Sequence, residues 1–127
     1  MTENFITLIE KLKNKTASKQ AIWSKTSRDN EFKLELQKGA ITTDNWNDDD
    51  ENSFIDLSII NENGDTIDRV YFHSSEKEDY KKLLELHDLV KRAYYKVDET
   101  IKNIFNELDS EKTVGKERKS EDEDLQF

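Results

Sequence analysis

Cysteine is absent from this chain, which excludes a disulfide framework and any thiolate metal site and makes a reducing compartment the natural setting. Glycine is scarce, with three residues in 127, and no phosphate loop, dinucleotide fingerprint or nucleophile elbow occurs. Long apolar runs are missing too, so no segment is expected to span a membrane. The opening MTENFITLIEKLKNK interrupts its apolar residues with Glu10, Lys11 and Lys13, the pattern of an amphipathic helix and not of a signal-peptide core. A cytoplasmic location is the expectation. Hydrophobic residues make up 33% of the chain and charged residues 39%, near the edge of globular behaviour, so part of the chain is expected to stay unfolded. The rest suits one domain with a small core.

What the chain has in abundance is acid, unevenly spread. Its formal net charge is −9. Residues 1–30 hold six Lys/Arg against three Asp/Glu, residues 41–75 one against nine, and residues 109–127 four against seven. A polyanion would therefore meet a basic N-terminal third.

Periodicity divides the chain. Phe5, Leu8, Ile9 and Leu12 recur at helical spacing, predicting a short helix over 3–14. Small and β-branched residues around Trp23 predict a strand over 21–27, followed by turn chemistry at Arg28-Asp29-Asn30. Phe32, Leu34 and Leu36 alternate with Lys33, Glu35 and Gln37, giving a strand that bends at Gly39 and runs to Thr43. The acidic segment Asp44 to Asn52, with Trp46 inside it, reads as a loop. Phe54 to Ile60 and Thr66 to His73 form a hairpin across Asn63-Gly64. Ser75 and Glu78 match a capping box that starts a helix near 76. Its stripe runs Tyr80, Leu83, His87, Val90, Tyr94, Val97, Ile101, Ile104 and Leu108. A single helix to 108 would be roughly 50 Å long, about twice the strands beneath it. Either it breaks near Asp98, or its far half (Val97, Ile101, Ile104 and Leu108) forms a dimer interface, the preferred arrangement. Residues 109–127 read as a disordered acidic tail, leaving 1–108 as one α+β domain.

The candidates for chemistry are few. His73 and His87 stand on different elements without zinc-site spacing. Asp48-Asp49-Asp50-Glu51 is an acidic run for a divalent cation, but lacks the EF-hand pattern. No metal, cofactor or catalytic residue is expected, and a binding protein is read in preference to an enzyme. Lys19, Trp23, Lys25, Arg28, Phe32, Lys33 and Lys38 interleave cations with aromatics, as unpaired nucleic acid requires: cations follow phosphates, and Trp23 stacks on a base.

The C-terminal Ser120-Glu121-Asp122-Glu123-Asp124-Leu125-Gln126-Phe127 resembles the tip of bacterial and phage single-stranded DNA-binding proteins, with Gln126 where proline usually stands. That resemblance implies a peptide that docks replication or recombination partners through Asp122, Glu123, Asp124, Leu125 and Phe127. The order of four strands and a long helix is similar to the Whirly and transcriptional-coactivator class of single-stranded DNA binders, which dimerise through helices. A four-stranded antiparallel sheet between a short N-terminal helix and a long C-terminal one is thus the expected fold, with an oligonucleotide-binding barrel as the alternative.

Three functions follow as expectations. The first is sequence-tolerant single-stranded DNA binding in replication or recombination, by a homodimer that is phage-encoded and works in the host cytoplasm. The second is a nucleic-acid mimic that presents residues 44–68 to inhibit a DNA-binding or defence enzyme. The third is a plain interaction protein that uses its helical stripe.

Overall fold

Thr2 lies in extended backbone and its hydroxyl accepts the Phe5 N–H at 3.4 Å, so the chain enters helix α1, Glu3–Ala17, at a side-chain cap. Phe5, Ile9, Leu12 and Thr16 form the buried stripe of α1, one turn longer than periodicity predicts. A computed structural model of the chain describes residues 1–118. Five strands follow, β1 Ser24–Lys25, β2 Glu31–Leu36, β3 Gly39–Asn47, β4 Ser53–Asn61 and β5 Thr66–His73, then helices α2 Lys77–Tyr94 and α3 Val97–Leu108. The strands pair antiparallel in sequence order as an open five-stranded meander. This is an α+β fold, with five strands in place of the expected four. The sequential order also replaces the barrel alternative: β1 and β5 lie at opposite edges.

The fifth strand comes from splitting the expected strand 31–43. Leu36 and Gly39 are register partners, so Gln37 and Lys38 form a two-residue reversal. Gly39 does not bend one strand; it starts the next and passes against β4, where a Cβ would stand 2.6 Å from the carbonyl oxygen of Ile60. Gly39→Ala is expected to cost about 1–3 kcal/mol by forcing two paired strands apart. Urea unfolding would measure it, and an unchanged midpoint would show that β4 yields freely. The β4–β5 hairpin has the anticipated turn: Gly64 takes φ +88° and the Asn61 side chain accepts the N–H groups of Asn63 and Asp65 at 3.0 Å each.

Alternation along each strand separates two faces. Phe32, Leu34, Ile41, Ile55 and Leu57 turn inward, where Leu83, Leu86 and Val90 of α2 and the α1 stripe close the core. Trp23 joins this core at 6% exposure and donates its indole N–H to Thr16 Oγ1 at 3.0 Å. At the β5 edge two backbone donors are occupied by carboxylates: Arg69 N–H bonds Asp68 at 2.8 Å and His73 N–H bonds Glu76 at 3.3 Å. Both bonds make the edge a poorer template for another strand.

Two boundaries differ from expectation. The capping box does not form: Ser75 hydrogen-bonds His73 Nδ1 at 2.7 Å, and α2 begins after Glu76 with no side-chain cap. The long stripe is two helices. α2 ends at Tyr94 and Lys96 adopts φ +52°, so the chain takes the alternative of a break near Asp98, two residues earlier than that residue, which itself falls inside the first turn of α3. A positive φ in a non-glycine residue cannot continue an α-helix. The chain divides there into two compact units, Met1–Val97 and Asp98–Phe127.

Candidate functional site

The seven residues that interleave cations with aromatics do not assemble into one basic face. Trp23 is a core residue, so the expectation that it stacks on a base is corrected; its amphipathic ring found a buried acceptor in Thr16. Lys25 Nζ is turned onto the carbonyl oxygens of Thr26 and Arg28 in the β1–β2 connection. Arg28 pairs with Asp44, and Lys33 lies 3.8 Å from Glu35. Lys19 follows α1 at φ +62°, and Lys38 sits in the β2–β3 reversal. Phe32 is fully buried.

The outer face of the sheet, away from α1 and α2, carries the more organised chemistry. Asp44 of β3 and Asp56 of β4 are register partners and therefore point the same way, side by side. Two like charges in that position repel, yet their side chains are 3% and 5% exposed. Arginine resolves the conflict: Arg28 Nε bonds Asp44 Oδ2 at 2.6 Å, and Arg69 Nη2 bonds Asp56 Oδ2 at 2.8 Å. The Trp46 indole N–H adds a third bond to Asp56 Oδ2 at 3.1 Å. Burial still pushes the Asp56 carboxyl up, against Arg69, which pulls it down. Hydrogen bonding to Asp44 raises the Arg28 guanidinium.

Beside this quartet runs an aromatic row that sequence reading missed. Trp46 stacks on its register partner Phe54 at 4.6 Å and 17°, and Phe54 meets Tyr71 at 6.4 Å and His73 at 5.2 Å. Arg69 lies 5.2 Å from the Tyr71 ring centroid. Tyr71 is 57% exposed. The row crosses β3, β4 and β5, which explains why no local pattern shows it. Trp46 was expected in an acidic loop; β3 instead runs to Asn47, because Arg28 neutralises Asp44 and Phe54 supports Trp46.

The acidic segment 44–68 is interrupted. Asp48-Asp49-Asp50-Glu51 tops the β3–β4 loop and Glu62 and Asp65 lie in the β4–β5 turn, about 30 Å away along nine-residue strands. Asp44 and Asp56 between them are buried under arginine. Asp48 accepts the N–H groups of Asp50 and Asn52 at 2.9 Å each, and the bond from Asn52 holds its carboxyl below the usual range. Among the described residues no three His, Cys, Asp or Glu side chains converge as a metal site.

The histidines divide. His73 accepts Ser75 N–H at Nδ1 (3.0 Å) and approaches Asn52 Oδ1 through Nε2 (3.2 Å), tying β5 to the β3–β4 loop. His87 is 1% exposed, with Nδ1 3.0 Å from Thr43 Oγ1 and, among the described residues, no partner for Nε2. On α3, Ile101, Ile104 and Leu108 are exposed, joined by Phe105 at 60%, and Val97 is half-buried. The tail residues Asp122, Glu123, Asp124, Leu125 and Phe127 lie outside the described residues. Among those described, no helix is long and apolar enough to cross a membrane.

No family model, curated protein or solved structure matches the chain.

Proposed function

We propose that this chain is a non-enzymatic interaction module that docks a partner protein across the outer face of its sheet. The observation that carries the reading is the row Trp46, Phe54 and Tyr71 bordered by Arg69. Tryptophan, tyrosine and arginine dominate binding energy at protein interfaces, because each combines a large apolar surface with a polar tip. The row is rigid before any partner arrives: Phe54 braces Trp46 from one side, and Asp56 holds both the Trp46 indole and Arg69. Rigid groups lose little entropy on binding.

Single-stranded DNA is the second reading, now on this face, since the aromatic row with Arg28 and Arg69 offers stacking and phosphate contacts. Acid at both ends of the β3–β4 hairpin opposes a polyanion, which places a protein partner first. The mimic reading loses its continuous anionic line where Arg28 and Arg69 cover Asp44 and Asp56. Self-association belongs in this proposal to the α3 stripe of Val97, Ile101, Ile104, Phe105 and Leu108. Recruitment of further proteins through the C-terminal residues rests on their sequence.

Peptides selected by display against the immobilised full chain test the reading, alongside an oligo(dT) probe. Tyr71→Ala should weaken the selected peptides by at least about tenfold, the scale of an interface hot spot. Tyr71 is exposed, so folding survives its removal. Peptides indifferent to Tyr71→Ala would overturn the protein-docking reading. Tight oligo(dT) binding that quenches Trp46 would put DNA in its place.

A further inference from the structure

We propose that the cleft between Arg28 and Arg69 is a binding site for a carboxylate group carried by the docked partner protein. The inference rests on the docking reading and names the chemistry it recognises. Arg28 arrives from the β1–β2 connection and Arg69 from β5, yet both line one open cleft of about 570 Å³ with Trp46, Ser58 and Thr66. In each ion pair an approaching group meets the cation before its carboxylate: the arginine side chains are 57% and 44% exposed, and the carboxylates beneath them 3% and 5%.

Among the described residues each guanidinium is held by one hydrogen bond, Arg28 through Nε and Arg69 through Nη2. A guanidinium has five N–H donors in a planar fork. Most of them therefore have no protein acceptor among the described residues. Placing two carboxylates opposite one another and burying them is a poor route to stability, because desolvation offsets most of the ion-pair gain. What the arrangement accomplishes is to fix two long side chains over one cleft before a ligand enters.

The class of anion follows from the surroundings. Acid at both ends of the hairpin repels a chain of phosphates, leaving room for one anionic group. Glu31 lines the same cleft, with Asp44 and Asp56 below it. That field penalises a dianionic phosphate more than a singly charged carboxylate. Serine and threonine hydroxyls at Ser58 and Thr66 are available as further donors.

The test follows the Trp46 indole N–H by ¹H–¹⁵N NMR on the full chain, titrated with acetate, inorganic phosphate or chloride at matched ionic strength. Acetate should shift the signal saturably and chloride should not. Arg28→Lys and Arg69→Lys keep the charge but lose the fork, and each should weaken acetate by about tenfold. The backbone amide spectrum of each variant reports an intact fold. Equal shifts with chloride, or variants that titrate as the parent does, would overturn the site. Saturation by phosphate at lower concentration than acetate would sink the carboxylate assignment. Tyr71→Ala separates the two levels: selected peptides that still depend on Tyr71 while acetate fails to bind leave docking standing and remove the anion site. Acetate binding without Tyr71-dependent docking does the reverse.

Discussion

Trp23→Ala should lower the free energy of unfolding by about 3–5 kcal/mol, the cost of emptying a large aromatic site in a packed core. The ring is 6% exposed and lies in the same buried cluster as Phe5, Ile9 and Leu12 of α1 and Phe32 and Leu34 of β2. Its indole N–H satisfies Thr16 Oγ1, which is 3% exposed as a residue. Removing the indole therefore leaves both a cavity and a buried hydroxyl without its donor. Trp23→Phe separates the two: it refills most of the space and should cost about 1–3 kcal/mol, mainly through Thr16. Chemical denaturation at neutral pH measures both. A loss under about 1 kcal/mol for Trp23→Ala would place the ring on the surface and restore its availability for stacking.

Acid should weaken the fold through His87. Burial, opposed by Asp88 and assisted by Lys91, lowers its pKa from 6.5 to about 4. Between those values the unfolded chain takes up a proton that the folded chain refuses. Stability is therefore complete above pH 7 and falls as pH drops through that window, by about 3 kcal/mol at its lower end. The cause is geometric: Nε2 has no partner among the described residues, and Phe32 packs 5.5 Å from the ring, so an imidazolium would carry a second N–H to a site that offers it no acceptor. Thermal unfolding at pH 7 and pH 5 would show the loss. His87→Gln keeps a polar group toward Thr43 without a titrating one and should flatten the profile over this range. Parallel profiles for parent and variant would assign the acid sensitivity elsewhere.

Much of the fold is legible wherever a short-range pattern suffices. The α1 stripe, the alternation of Phe32 and Leu34, and the Asn63-Gly64 turn each identify their element within a few residues, because helix and strand periods and positive φ are local properties. The break at Lys96 is less legible, since lysine is an ordinary helix former and nothing adjacent marks a positive φ. The docking face is hidden for a different reason. Asp44 and Trp46 read as loop because acid is disfavoured in strands. The residues that make them strand, Arg28 and Phe54, lie 16 and 8 positions away respectively.

By itself, then, the sequence determined which residues are apolar, where the backbone turns, and how the charge is distributed: quantities set by side-chain chemistry and neighbours in the chain. Only tertiary structure decided whether an amphipathic side chain faces inward or outward. Trp23 went to the core because α1 presented Thr16 to its N–H, and Trp46 went to the outer face because Asp56 and Phe54 received it there. The two tryptophans have the same chemistry, and they differ in partners supplied by distant segments, which no local pattern records.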